Sequence, residues 1–441
     1  MVPRARGIWY DLTTPEPVCY VILKNLTFQV FIAALAGILC ALVFSNESWL
    51  VTPAPAAYEL ILLLKGIFLS ALKMLIAPMI FFSLVGGVSG IGDVIRLRRL
   101  GGVTIAYYLT TTGLAITLGL IAVFFIHPWT GSPPSPELAN GAKPASMIAP
   151  GDDSIVHVLS QLANLALTNP FKALVNLNIL GIVTNALLIG VAMVLVLPDD
   201  SPVFKFVEDV NAVIFRVLGW VIRIMPIGIF AILFDFTVKL HLGKGESTAV
   251  VEQLLEFGAL VIVLTLVHGT LVLPGIAWLF ARKNPRYLFP KILRPMIVAF
   301  STSSSSATLP VSMKTCEEEL GVSNSVASFV LPLGATMNMD GTALFEAVAA
   351  VFLAYLFGIH LSSVAIVTVF LMAIVSSIGA PGMPSASMAG MQMVLLAVGI
   401  PLEAIALLLV IERPMDTIRT AVNVEGDLIG SLVVERFTRT G

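Results

Sequence analysis

The sequence predicts an all-α polytopic membrane protein with eight transmembrane helices and two re-entrant helical hairpins set in inverted repeats. Three observations carry that prediction. The chain of 441 residues is 57% hydrophobic and 12% charged, with a mean hydropathy of +0.96, and its charge is about half that of ordinary soluble domains. Its basic residues sort to one side of an even number of spans. Two apolar regions are interrupted by small residues, and each is followed by a long span.

Apolar runs at 27–45, 57–89, 102–126, 154–198, 204–236, 250–281, 325–357 and 402–435 supply the spans, about 20 residues being enough to cross a bilayer. Pro3 to Lys24 is mixed and shows no cleavable signal, so Phe28–Phe44 reads as a retained span. Arg4, Arg6 and Lys24 precede the first span; Arg96, Arg98 and Arg99 follow the second. Arg282, Lys283 and Arg286 follow the sixth, and Arg436 and Arg439 follow the last. The positive-inside rule places all four groups in the cytoplasm, with both termini. The Pro128–Asp153 loop, rich in Pro, Gly, Ser and Ala, reads as an extramembrane connector without chemistry.

That sidedness requires 287–314 and 361–400 each to enter and leave on one face. Both have two apolar arms too short to span. One hairpin opens from the inside and the other from the outside, so the two hairpin-plus-helix units are inverted. Broken segments at matching places in two halves point to a transporter site at mid-membrane, because irregular backbone survives there only inside protein or against a wet cavity.

The eighth span carries the chemistry. Glu412, Asp416, Arg419, Asn423 and Asp427 are spaced 4, 3, 4 and 4 apart, within an arc of roughly 80° on one helix face. Glu425 points to about the opposite side. Charges at membrane depth cost about 2.5–3.5 kcal/mol each and mark ion or substrate paths. Three acids, an arginine and an amide fit a zwitterion bearing an extra acid, and cations.

Other motifs support this face. Ala299–Pro310 reads AFSTSSSSATLP; a serine run is ordinarily a solvated linker, but apolar arms bracket this one, and its amides and hydroxyls can hold a carboxylate. Ser376–Gly390 holds two prolines and two glycines between Gly379 and Pro384, more breakers than small-residue helix packing needs. A non-helical tip there frees carbonyls for a cation and can act as a lid. Gly334–Ala347 reads GATMNMDGTALFEA. Its bland reading is one helix with a hydrogen-bonded Asn and Asp; oxygen ligands flanked by glycines suit a locally unwound cation site. Glu346 lies further along, where apolar surroundings favour a protonated acid, so it is the expected proton carrier. Tyr108, Thr111 and Thr112 lie in the AYYLTTTG stretch; such threonines usually bond their own backbone, and are otherwise further cation oxygens.

Net charge of −2 says nothing about partners, and no basic–aromatic patch suggests nucleic acid. Cys19, Cys40 and Cys316 have no metal spacing. Of the five histidines only His268 lies well inside a span, where packing is the expected role. HExxH, GxSxG and P-loop motifs are absent, so a pump driven by ATP and a membrane hydrolase have no support; no cofactor is expected.

With these motifs the chain resembles the glutamate transporter family, the dicarboxylate/amino acid:cation symporters. The matching pieces are SSSSATLP, NMDGT, SSIGAPGMP and DTIRTAVNVEGD, with MLIAPMIFFSLVGG (Met74–Gly87), YYLTTT and TNPFKAL (Thr168–Leu174) upstream. The resemblance runs in order through nearly the whole chain. It implies a homotrimer of separate elevator-type units in lipid, at a bacterial-type plasma membrane, the inner one in a Gram-negative cell. Residues 1–101 (first two spans) and 127–249 (loop, fourth and fifth spans) would be scaffold; 102–126 (third span) and 250–441 (sixth span onward) would move.

By the same resemblance Arg419 would hold the substrate's side-chain carboxylate and Asp416 its ammonium. Ser304, Ser305, Thr342, Thr420 and Asn423 would complete the site under a lid at Met383. One sodium would use Gly334, Asn338, Asn423 and Asp427; another Tyr108, Thr111, Thr112, Asn338 and Asp340; a third backbone oxygens of Thr336, Ser377, Ile378 and Ala380. Glu346 resembles the proton carrier of the animal branch. The implied activity is import of L-glutamate and L-aspartate driven by sodium and a proton. Alternatives are a neutral amino acid or C4-dicarboxylate symporter, and an anion channel; an intramembrane protease would rest on serines lacking a histidine partner. Three departures stand out: Ser303 and Thr417 occupy the places of a second arginine, Phe345 that of an animal-branch Tyr, and Glu412–Arg413–Pro414 alters the approach to the eighth-span site.

Overall fold

The computed structural model describes residues 26–46, 49, 54–90, 98–126, 160, 163–164, 166–198, 200–242, 247–379, 387–401 and 404–439. Those residues are mostly helical, with no strand among them. Helices α1 (Leu26–Phe44), α2 (Ala56–Gly90) and α3 (Arg98–Ile126) match the first three expected spans. The fourth run is divided: α4 (Pro170–Val175) stops at Asn176, and α5 (Ile179–Val196) restarts under Asn178, whose side chain accepts from Gly181 N. Three closely spaced asparagines (Asn169, Asn176, Asn178) cause the division, since their short polar side chains compete with the helix for backbone groups.

The fifth run is a bent pair, α6 (Pro202–Arg223) and α7 (Met225–Leu242), with a 52° angle between them. The sixth is α8 (Ser247–Val267) and α9 (Leu273–Phe280), joined by a π-helical segment at His268–Val272. Pro274 has no N–H and crowds the carbonyl four residues earlier, which forces that local widening.

Hairpin one is α10 (Pro285–Thr302) and α11 (Ser305–Lys314). Its tip turns through Ser303 at φ 49°, and Ser304 caps α11 by accepting from Ala307 N. The seventh span is broken into α12 (Asn324–Met337) and α13 (Asp340–Leu356), with Asn338 and Met339 non-helical between them. Hairpin two is α14 (Ser363–Gly379) and α15 (Ser387–Ala397), and α16 (Ile405–Arg439) is the last span. The Ala380 and Met383 expectations lie outside the described residues.

Among the described residues, Arg99–Ile126, Glu252–Phe280 and Asn324–Leu356 are long and apolar enough to cross a membrane, and the bent pair makes a fourth. Phe28–Phe44, Ala77–Val88, Leu180–Val196 and Ser363–Ile378 are shorter apolar stretches. The chain is therefore a multi-pass membrane protein, with part of the eight-span expectation met by length and composition. Exposed Leu, Ile, Val and Phe side chains on α1, α3, α5 and α8 fit contact with lipid.

Packing gathers α13, α10, α12, α3 and α8 around α16, whereas α1, α2, α5, α6 and α7 pack mainly on one another. Every residue of α13 except Tyr355 is buried, so this helix is enclosed on all sides and is apolar apart from its N-terminal Asp340, Thr342 and Glu346. In the second group Asp235 accepts from Tyr58 Oη at 2.5 Å and from Lys65 Nζ at 2.6 Å, tying α7 to α2. The pair is an ion pair with Asp235 buried, and removing one partner from such a pair costs about 3–5 kcal/mol. Lys65→Met is expected to lower the melting temperature of the purified protein by several degrees, and Lys65→Met with Asp235→Asn to recover most of it. An unchanged melt for the single variant would show the pair to be inert.

Candidate functional site: a buried polar seam between α16, α13 and the hairpins

The expected stripe on α16 is buried and faces the protein. Arg419 is 1% exposed. Its Nη2 donates to Glu412 Oε1 at 3.1 Å, Asp416 Oδ1 at 3.3 Å and Ser387 Oγ at 3.3 Å. Ser387 in turn donates to Glu412 Oε1 at 2.9 Å, which links α15 to α16. The guanidinium lies 4.0 Å over the Phe345 ring, a cation–π contact strengthened by the lack of water. Arg419 Nε and Nη1 have no partner among the described residues. Nη2 is thus held in place, while two N–H donors of the buried guanidinium remain unused among the described residues.

A second cluster sits along the break in the seventh span. Unwound backbone at membrane depth needs substitute partners, and side chains from two other elements provide them. Met339 N donates to Ser377 Oγ on α14 at 3.0 Å, and Gly341 N to Asn423 Oδ1 on α16 at 2.8 Å. Asn423 Nδ2 reaches Thr342 Oγ1 at 3.4 Å. Asn338 Nδ2 donates to Asp427 Oδ1 at 2.9 Å. Asp340 Oδ1 accepts from Thr112 at 2.7 Å and Thr111 at 3.3 Å. Tyr108 Oη donates to Val330 O at 2.7 Å. A cavity of about 70 Å³ lies between α3, the break and α14, with Tyr108, Thr112, Met337, Ser377 and Ile378 among its walls. Ile105, Leu109 and Ile374 complete its lining, which is almost wholly apolar.

The close approach depends on Gly334: a Cβ there would run into Asp427 Oδ1 and Tyr108 Oη. Gly390 plays the same part beside Glu346, where a Cβ would meet Ser376 Oγ and Glu346 Oε1. Glu346 is wholly buried; its Oε1 accepts from Ser376 Oγ at 2.9 Å, and its Oε2 has no partner among the described residues.

Most expected site residues therefore converge. Thr420 is buried, but its hydroxyl bonds Asp416 O at 2.7 Å, within its own helix. The Thr336 side chain is exposed and bonded to Leu333 O, which leaves only its backbone for the expected role. Ser304 and Ser305 are buried at the tip of hairpin one, whose second arm packs on α16. Three residues were missed. His268 Nε2 lies 3.0 Å from Asp340 Oδ2, so its role is polar rather than one of packing. Ser376 and Ser387 hold Glu346 and Glu412. An imidazole inside a span with an aspartate elsewhere in the core was a usable signal, since a buried ring nitrogen needs a partner.

Residues 26–437 match the family model described as the sodium:dicarboxylate symporter family. The chain belongs to that family. An excitatory amino acid transporter of Caenorhabditis elegans is 32% identical over 83% of this chain and 79% of its own length. Excitatory amino acid transporter 2 of Mus musculus is 32% identical over 88% and 75%. Neutral amino acid transporter B(0) of Oryctolagus cuniculus is 32% identical over 92% and 79%. The family and these relatives are transporters, not enzymes, and lend the anion-channel alternative no support. The family description implies sodium as a coupling ion.

Gly334→Ala is expected to raise the sodium concentration needed to protect the purified protein against heat by about tenfold, the loss of one good interaction. Gly275→Ala, where a Cβ would meet nothing within 4 Å, is the control and should leave it alone. Equal sodium protection in both variants would detach Gly334 from cation binding.

Proposed function

We propose that this symporter imports L-glutamate and L-aspartate, driven by sodium and a proton. The observation that carries the substrate class is the partly used guanidinium of Arg419: it is buried, Nη2 is bonded, and Nε and Nη1 have no partner among the described residues. A carboxylate can accept from either of these donors, and a bidentate fit would share Nη2 with Glu412 and Asp416. The unpaired donors favour an acidic side chain over a neutral one, which would leave them unsatisfied. Asp416, beside Arg419, is the partner for the substrate ammonium. Thr342, Asn423, Thr420, Ser304 and Ser305 complete the pocket, and the segment at Met383 closes it.

Charge balance supports cation coupling. Asp340, Glu346, Glu412, Asp416 and Asp427 are all buried against one guanidinium and one imidazole. Buried charges need compensation. In this reading sodium ions supply it at Gly334, Asn338, Asn423 and Asp427; at Tyr108, Thr111, Thr112, Asn338 and Asp340; and at backbone oxygens of Thr336, Ser377, Ile378 and Ala380. Glu346 takes the proton, because its buried Oε2 has no hydrogen-bond partner among the described residues. Residues 102–126 and 250–441 form the moving domain of a homotrimer and 1–101 with 127–249 its scaffold, in the plasma membrane with both termini cytoplasmic.

A neutral amino acid substrate is the second reading. Glu412 already neutralises part of Arg419, and Ser303 and Thr417 stand in place of a second arginine. Uptake of labelled L-aspartate into proteoliposomes separates the two. The expected result is uptake dependent on a sodium gradient and competed by glutamate, not by serine or succinate; competition by serine would move the assignment to neutral amino acids, and by succinate to dicarboxylates.

Two variants test the roles. Arg419→Cys should lose aspartate uptake by at least about a hundredfold, as expected when a buried charged hydrogen bond disappears, while admitting serine or alanine. Retained aspartate affinity would refute the carboxylate role. Glu346→Gln should flatten the pH dependence of net uptake and leave sodium-dependent binding intact; an unaltered profile would assign the proton elsewhere.

A further inference from the structure

The turn between the sixth span and hairpin one carries positive charge that the fold leaves unanswered. Between Glu256 and Glu317 the chain has six lysines and arginines and no acid. Arg282, Lys283 and Arg286 lie together where α9 gives way to α10, and none of the three makes an ion pair among the described residues. The acids on the far arm of the hairpin, in the π-helical segment Thr315–Leu320, are engaged elsewhere. Glu317 accepts from Asn324 Nδ2 at 2.7 Å, and Glu318 pairs with Lys314 at 3.8 Å. Lys291, one turn into α10, reaches across to the backbone carbonyl of Glu319.

The turn keeps this charge at a conformational cost. Arg282 has φ 52°, in the left-handed region that glycine takes without strain. Ala281 N and Lys283 N both donate to Ala277 O at 3.1 Å, a helix ending that needs a left-handed residue at that place. An arginine where glycine fits better is an outlier that points to function. Its surroundings point to the membrane surface. Trp278, Leu279 and Phe280, in the last turn of α9, are exposed. Tyr287 is exposed as well, with Lys283 Nζ 5.9 Å and Lys291 Nζ 4.0 Å from its ring centre. Aromatic rings beside lysine and arginine at the end of a span mark the depth of lipid headgroups. The positive end of the α10 dipole lies at the same turn.

We propose that Arg282, Lys283 and Arg286 bind the phosphate of an anionic phospholipid headgroup in the cytoplasmic leaflet, with its acyl chains against Trp278, Leu279 and Phe280. The guanidinium groups suit phosphate oxygens in a forked geometry, and the lysine adds a point charge. A free phosphate would answer the cations and leave the neighbouring tryptophan and phenylalanine in water; a lipid answers both. The lipid thereby ties the base of hairpin one to the membrane surface. This site is independent of which amino acid the transport site accepts.

Melting of the purified protein in detergent, titrated with phosphatidylglycerol, phosphatidylcholine or inorganic phosphate, reads the site. Phosphatidylglycerol is expected to raise the melting temperature and the other two to leave it. Arg282→Gln, Lys283→Gln and Arg286→Gln together should raise the phosphatidylglycerol needed for half the effect by about a hundredfold, at about fivefold per cation. Lys205→Gln, which removes an exposed lysine from α6, should leave it unchanged. An equal effect of phosphatidylcholine, or the same half-effect in the triple variant, overturns the proposal. An equal effect of inorganic phosphate makes this a site for free anions and overturns the lipid assignment. Arg282→Gly keeps the test open if the triple variant does not fold. It relieves the left-handed residue, so without lipid it should melt no lower than the parent, yet it should need about fivefold more phosphatidylglycerol. A glycine variant that needs no more of the lipid dismisses the patch.

Discussion

The structure depends on an excess of buried negative charge. Asp340, Glu346, Glu412, Asp416, Glu425 and Asp427 are within about two turns of the break in the seventh span or on the helix beside it, and all are buried. Arg419 and His268 are the cationic side chains that touch them. Charge in low dielectric is strongly penalised unless compensated, so this core is incomplete without something positive. The protein relieves only part of the imbalance by itself: Arg419 holds Glu412 and Asp416, while hydroxyls of Thr111, Thr112 and Ser376 donate to Asp340 and Glu346. The remainder is what the proposed sodium ions, proton and substrate ammonium would compensate.

Broken backbone is the second half of the same design. Two residues of non-helical chain at Asn338–Met339 lie buried, where water cannot satisfy them. The amides of Met339 and Gly341 are satisfied by Ser377 from one hairpin and Asn423 from the last span. The side chain of Asn338 is tied to Asp427. Any ligand that draws on Asn338, Asn423 or Ser377 therefore acts on three elements together. That shared use of oxygens is a physical route for coupling ions to substrate: filling one position changes what the others can offer.

Much of this was visible beforehand. The spacing of Glu412, Asp416, Arg419, Asn423 and Asp427 defines one helix face whatever the rest of the chain does, because 3.6 residues per turn is a local property. The apolar arms around Ser303–Ser306 and Gly379–Pro384 were recognisable as too short to span, since bilayer thickness sets the length needed. The sidedness of arginines and lysines likewise needs no tertiary contact. The bend at Ile224 and the division at Asn176–Asn178 were read as unbroken runs, because hydropathy averages over breaks of a few residues.

What local pattern could not supply was partnership. That Arg419 Nη2 would be held by Glu412 and Ser387 while Nε and Nη1 go unpartnered among the described residues follows from how α15 docks on α16, which no spacing encodes. His268 was assigned to packing because its partner Asp340 is 72 residues away and on another span. Glu425 was known to point away from the stripe, but its destination, a glycine at a proline-induced bend, belongs to the sixth span. Helix period and hydrophobic length are decided by residues close in the chain and by the bilayer. Which charges are paired, open or alone is decided by residues that meet only when the chain is folded.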